Sequence, residues 1–178
     1  VRTMKAIIYK KYGSPDVLRL VNLPKPVPGN NEILVRIFST TVTSADWRAR
    51  SLELPGGFAL LGRPIFGLFG PRRPILGQEL SGVVEAVGAG VTRFHVGDEV
   101  AAYTGAKGGC HAAYRAMPET GWIITTPRTL TFEEAGAMFF GGTPALHLLR
   151  NHGPVSPGAN VLILGPSGSV RSAAVSTA

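Results

Sequence analysis

The chain has one cysteine, Cys110, among 178 residues. An intrachain disulfide is therefore impossible, which fits a reducing compartment, and zinc lobes built from clustered cysteines are excluded. Charge is scarce at 16%, and acids are scarcer than bases, 11 against 18, leaving a net charge of +7. Aromatics are also few, at 8%. The longest basic runs are the pairs Lys10-Lys11 and Arg72-Arg73, with no stripe of interleaved aromatics, so no nucleic-acid partner is expected. Long apolar runs are missing too. The greasiest stretch, Leu54 to Gly70, is broken by Arg63, two prolines and five glycines and cannot span a membrane. No signal-peptide core follows Met4, and Val1-Arg2-Thr3 reads as an extension, so the expected setting is cytoplasmic, with no membrane.

What is abundant is glycine and proline, 23 and 14 residues. Together they make about a fifth of the chain against a usual ~12%, which disfavours helical bundles and favours short strands joined by turns. Apolar content of 44% rules out a disordered tail. Strands are predicted over Met4–Lys10, Val17–Leu23, Glu32–Val42, Ser81–Gly88 and Gly97–Tyr103, with a short polar helical segment at Ser44–Ser51. The two prolines in Lys25–Asn31 keep that stretch out of a central strand. The character changes near Pro127. Thr131 and Glu134 form a predicted capping box before a helix over Phe132–Phe140, which Gly141-Gly142 should end. Thr143 and Pro144 should cap and start another helix over Ala145–Asn151, stopped by Gly153. Asn160–Leu164 reads as a buried parallel strand running into a Gly165–Gly168 turn and an alanine-rich helix. Such a two-glycine turn is either a plain strand-to-helix connection or a pyrophosphate site.

The order of these pieces resembles the medium-chain dehydrogenase/reductase superfamily, in its zinc-free quinone-reductase-like branch. The resemblance rests on Met4–Ile7, Tyr12–Leu18, Pro28–Val35, Ser81–Gly88, Arg93–Val100, Leu130–Gly136, Gly141–Leu146 and Gly158–Val170, in family order. It implies a mostly β fold with some α: a GroES-like β-barrel over residues 4–125, a helical connector over 126–157, and the beginning of a Rossmann domain over 158–178. The chain would supply one strand and one helix of a cofactor domain that needs about six strands, so NAD and NADP cannot be told apart. Arg171 stands where the family pattern has its third small residue.

Within the resemblance, zinc-dependent members place Cys at the position of Thr43 and His at that of Gln78. Here those positions are a hydroxyl and an amide, so no zinc is expected. Cys110 and His111 make a tempting pair, but Cys110 reads better as a small buried hydrophobe and His95 as a turn residue. The resemblance assigns Thr43 and Asp46 to catalysis, Gln78, Glu79 and Phe66 to the substrate cleft, and Thr143, Gly165, Ser167, Gly168, Ser169 and Val170 to the cofactor. Asp46 reads equally as a helix-start acid neutralised by Arg48 or Arg50. The apolar segment Phe58–Gly70 either borders the cleft, favouring a hydrophobic small-molecule acceptor, or packs beneath the barrel. Two functions follow. One is an NAD(P)H-dependent reductase of quinones, enones or carbonyls, inactive as this fragment. The other is a catalytically silent GroES-like domain acting through self-association or partner binding, with a homodimer expected from the apolar strand Asn160–Leu164.

Overall fold

A computed structural model of the chain describes residues 2–53, 66–67, 70–152, 156, 158–165 and 167–177. The chain divides into two compact units, Val1–Gly136 and Ala137–Ala178. The expected fold class is what the structure shows, a curled antiparallel sheet followed by helices.

In the first unit, β1 (Thr3–Ile8) and β2 (Arg19–Pro24) form an antiparallel pair. Five further strands make one antiparallel sheet: β3 (Glu32–Thr40), β4 (Glu79–Val87), β5 (Glu99–Tyr103), β6 (Tyr114–Pro118) and β7 (Trp122–Thr125). Their order is β6-β3-β4-β5-β7. That order forces the sheet to curl. β6 and β7 stand at opposite edges, yet only Glu119, Thr120 and Gly121 separate them in sequence. Five flat strands would put those edges about 19 Å apart, whereas four peptide steps reach about 14 Å at full extension. Glu119 tightens the connection by accepting the backbone N–H groups of Thr92 and Arg93 at 2.9 and 2.8 Å.

The concave face holds the core: Ile33, Val35, Leu80, Val84, Phe94, Val100, Ala102, Cys110, Met117 and Ile123. Branched residues alternating along β3 and β4 fill it from the middle strands, as the period of a half-buried strand requires. Register breaks at Leu34/Val35 and Ile37/Ser39 mark bulges between β3 and β4. A short helix α1 (Ser44–Ser51) leaves the end of β3, and α2 (Phe132–Gly136) follows the sheet. α2 begins with the expected capping box: Thr131 N–H donates to Glu134 at 2.9 Å, and Glu134 N–H donates to Thr131 Oγ1 at 3.2 Å. Phe132 stacks on Phe38 with ring centres 4.8 Å apart.

The second unit comprises α3 (Met138–His147), a π-helical turn Leu148–His152 and α4 (Ser169–Thr177). Here the structure corrects the sequence reading. The break falls at Ala137, and Gly141-Gly142 lies inside α3 with Thr143 and Pro144 behind it. Gly141 is a contact point instead of a stop. A Cβ there would stand 2.6 Å from the carbonyl oxygen of Ser169, so only glycine lets α3 and α4 approach this closely. Packing overrode the capping signal of Thr143-Pro144. The strand expected over Asn160–Leu164 is likewise unformed. Among the described residues no strand pairs with it, and Leu162 and Leu164 are 84% and 74% exposed. A strand without a ladder has nowhere to place its backbone hydrogen bonds. The helix expected after Gly168 is present as α4. No helix among the described residues is long and apolar enough to cross a membrane.

Candidate functional site

The excursion between β3 and β4 carries most of the residues singled out by sequence. It opens with Thr43, whose extended backbone makes it the N-cap of α1. The Thr43 hydroxyl accepts the backbone N–H of Asp46 at 3.3 Å. In return, Asp46 Oδ2 accepts the Thr43 N–H and the Thr43 hydroxyl, each at 2.8 Å. This is a complete capping box, closed by an acid where glutamate is usual. The other carboxylate oxygen reaches across the excursion: Asp46 Oδ1 accepts the buried N–H of Gly77 at 2.8 Å. Asp46 is only 3% exposed, so this bond is made away from water. It places Thr43 and Asp46 beside Gln78 and Glu79, more than thirty positions further along the chain.

Asp46 is not neutralised by its helix neighbours. Arg50 donates instead to the Gly13 carbonyl. Gly77 has φ +88°, and a Cβ there would stand 2.6 Å from the His111 ring, so the turn demands glycine. His111 Nε2 donates to the Thr41 carbonyl at 2.9 Å, which ties the start of the excursion to the segment before β6. Glu79 is 1% exposed; its carboxylate accepts the Thr41 hydroxyl at 2.5 Å, while its carbonyl accepts the Thr40 hydroxyl at 2.8 Å. The Gln78 carbonyl accepts the N–H and hydroxyl of Thr104, and its side-chain oxygen accepts the Tyr103 hydroxyl at 3.3 Å. Burial, with the carboxylates of Glu79 and Asp46 nearby, raises the Tyr103 phenol above its ordinary value. Tyr103 therefore stays a donor at neutral pH.

Thr43, Asp46, Gln78 and Glu79 thus share one hydrogen-bonded neighbourhood. Phe66 is half-buried, and its carbonyl accepts the Arg72 N–H at 2.9 Å. The rest of the apolar segment that contains it, residues 58–65, 68 and 69, lies outside the described residues. Sequence reasoning missed Gly77, Thr41 and Tyr103. Gly77 had a signal, a lone glycine before the polar pair Gln78-Glu79, whereas the partners of Thr41 and Tyr103 become visible only in three dimensions.

The donor set does not suit a metal. Thr43 and Gln78 offer oxygen or amide atoms, and among the described residues no three His, Cys, Asp or Glu side chains come together. Cys110 is fully buried with its sulfur 3.4 Å from the Thr104 hydroxyl, as a small core residue. Burial pushes its thiol up to about 11, so it is neither a ready ligand nor a nucleophile. His95 is exposed in its turn, where its N–H donates to Asp98 at 2.8 Å.

In the second unit Thr143 is exposed along α3. The glycine turn has φ +65° at Gly165, and Gly168 faces open space. Ser169 and Val170 begin α4, and the first helical bond runs from Ser172 N–H to the Gly168 carbonyl at 2.8 Å. Arg171 folds back over the turn: Nη1 donates to the Gly165 carbonyl at 3.2 Å and stands 2.5 Å from where a Gly165 Cβ would be. A guanidinium on an exposed side chain thus covers the backbone that a dinucleotide pyrophosphate would approach.

With this geometry in hand, the chain can be set beside known proteins. Residues 29–143 match the alcohol dehydrogenase GroES-like domain. The quinone oxidoreductase of Pseudomonas aeruginosa is 32% identical over 93% of this chain and 46% of its own length. Among solved structures, the quinone oxidoreductase of Coxiella burnetii superposes with a TM-score of 0.81 at 28% identity, covering 99% of this chain and 53% of that one. The Escherichia coli quinone oxidoreductase complexed with NADPH gives 0.69 at 28% identity, over 86% of this chain and 42% of that one. The chain spans about half the length of the relatives it matches.

Proposed function

The chain belongs to the alcohol dehydrogenase GroES-like domain family, and from that premise we propose that it forms the acceptor-side domain of a zinc-free, NAD(P)H-dependent reductase of hydrophobic quinones, enones or carbonyl compounds. The observation that carries the reading is the Asp46–Gly77 hydrogen bond, which gathers Thr43 and Gln78 in one neighbourhood. In this reading Gln78 donates a hydrogen bond to the acceptor oxygen as negative charge develops there. Its side-chain oxygen is held by Tyr103, which leaves the NH₂ as the donating end. The Thr43 hydroxyl is committed to Asp46, so Thr43 shapes the wall and Asp46 is a positioning residue. Phe66 and its apolar segment favour a hydrophobic acceptor. The barrel over residues 4–125 carries these groups; the cofactor side, Thr143 and Gly165–Val170, needs more of a dinucleotide domain than residues 158–178 contain, and this polypeptide alone turns over little or nothing. A lone buried thiol suits a reducing, cytoplasmic setting.

The test is quinone-dependent NADPH oxidation by the longest natural polypeptide that contains this chain. Activity should be present and fall about 100-fold in kcat/KM in Gln78→Leu, the usual scale for one lost oxyanion donor. No quinone reduction in that polypeptide, or full activity in Gln78→Leu, overturns the reading.

One observation favours a second reading, a domain acting by self-association. Leu162 and Leu164 are apolar and largely exposed, a surface that a second copy could cover. Light scattering that gives a dimer for the 178-residue chain supports it, and a monomer at high micromolar concentration sinks it.

A further inference from the structure

The inward face of β6 holds an arginine. Register pairs Ile33 with Met117 and Val35 with Arg115, so Arg115 points to the same concave side as core residues that are 0% exposed. Its Nε is buried and has no hydrogen-bond partner among the described residues. An N–H of a charged group left unmet in the interior is costly. Arg115 lines a cavity of about 400 Å³ where the two sheet edges come together, with Lys107, Met117, Tyr103 and Trp122 among its walls. Among the described residues no Asp or Glu lines it. Trp122 stacks on Tyr103 with ring centres 5.6 Å apart and planes 20° from parallel, yet Trp122 remains 68% exposed. The cavity is thus lined by two cations and by a stacked pair of aromatic rings. Thr43, Asp46, Gln78 and Glu79 do not line it; it adjoins the candidate site through Tyr103 and Thr104, which both bond Gln78.

We propose that this cavity binds a small aromatic carboxylate. The planar guanidinium of Arg115 supplies a charge and donors that match a carboxylate. Lys107 adds a second positive charge, and the ring lies against Trp122 and Met117. A volume of about 400 Å³ is at the low end of the range for small-molecule sites and suits one ring with one acid group. A neutral ring leaves the guanidinium unmet, and a bare anion leaves the aromatic wall wet.

The 178-residue chain labelled with ¹⁵N gives two indole resonances, Trp122 in the cavity and Trp47 on α1 as an internal control. Benzoate should move the Trp122 signal saturably and leave Trp47 in place. Benzyl alcohol, which has the ring without the charge, and inorganic phosphate, which has the charge without the ring, should each bind at least tenfold more weakly. Arg115→Met should weaken benzoate at least tenfold. Equal binding of benzyl alcohol, equal binding of phosphate, or unchanged benzoate affinity in Arg115→Met overturns the proposal. If Arg115→Met does not fold, Lys107→Met decides: a threefold or greater weakening supports the site, and unchanged affinity removes it.

Discussion

Asp46→Ala should cost far more than the loss of a helix cap. The substitution removes the acceptor of three donors: the Thr43 N–H, the Thr43 hydroxyl and the Gly77 N–H. The first two belong to the cap, whose loss costs about 1 kcal/mol. The third is buried, and an amide stranded without water or a partner adds about 1–3 kcal/mol. The sum is about 2–4 kcal/mol, or roughly 5–12 °C in Tm for a chain of this size. Thr43→Ala is the control. It loses the hydroxyl but keeps the Asp46 bonds to Thr43 N–H and Gly77 N–H, and should cost only about 1 kcal/mol. Asp46→Asn should fall between, because its one carbonyl oxygen can serve Gly77 or the cap. Urea unfolding followed by tryptophan fluorescence measures all three, since Trp47 and Trp122 both lie in the first unit. If Asp46→Ala costs no more than Thr43→Ala, the bond to Gly77 does not hold the excursion together and the argument for a shared neighbourhood fails.

Cys110 gives a pH-dependent effect. Its folded thiol value, about 11, lies above the unfolded one near 8.5, so the folded state keeps its proton longer. The stabilisation is complete below the unfolded value and lost as pH rises towards about 11; Cys110→Ala should flatten this alkaline fall, and an identical slope in both proteins counts against it. Gly141→Ala should loosen α3 from α4 and speed limited proteolysis of residues 137–177, because the new Cβ meets the Ser169 carbonyl; unchanged digestion would show the contact to be dispensable. Calorimetry with NADPH should give no submicromolar binding to this polypeptide, because Arg171 covers the Gly165 turn; a submicromolar Kd refutes that. Elemental analysis of protein prepared without chelators should find no stoichiometric zinc, and one tightly held zinc per chain would refute the reading of Thr43 and Gln78.

The middle of the sheet could be read from the residues because its physics is local. β3 and β4 carry branched residues, β5 is a short apolar run around Val100, and all three are bounded by turns. β6 and β7 escaped for reasons that the structure makes plain. β6 places Arg115 among its inward positions and ends in Pro118, so its apolar period is broken, and β7 is four residues long with Trp122 turned largely to solvent. Both are held by partners distant in sequence, and no window along the chain contains them. Asp46 was legible as a helix-start acid, yet its charge suggested Arg48 or Arg50 as partner. Its actual partner, the Gly77 amide, leaves no trace in composition. Capping statistics at Thr143-Pro144 misplaced a helix start because the decisive term, the approach of Gly141 to Ser169, is tertiary.

The candidate site rides on an excursion that leaves the sheet at Thr40 and returns at Glu79, and Thr40 is paired directly with Leu80. Departure and return are neighbouring rungs, so the length of chain between them does not set the β3–β4 register. Doubling such a loop costs only about 0.6 kcal/mol of closure entropy, less than one misplaced core methyl group. The stretch can therefore change length while β3 and β4 keep their register, provided Ile75, Leu76 and Gly77 keep their backbone bonds to Gly109, Cys110 and His111. Asp46 and Gly77 set the limit of that freedom, because together they form the clasp that any replacement must reproduce.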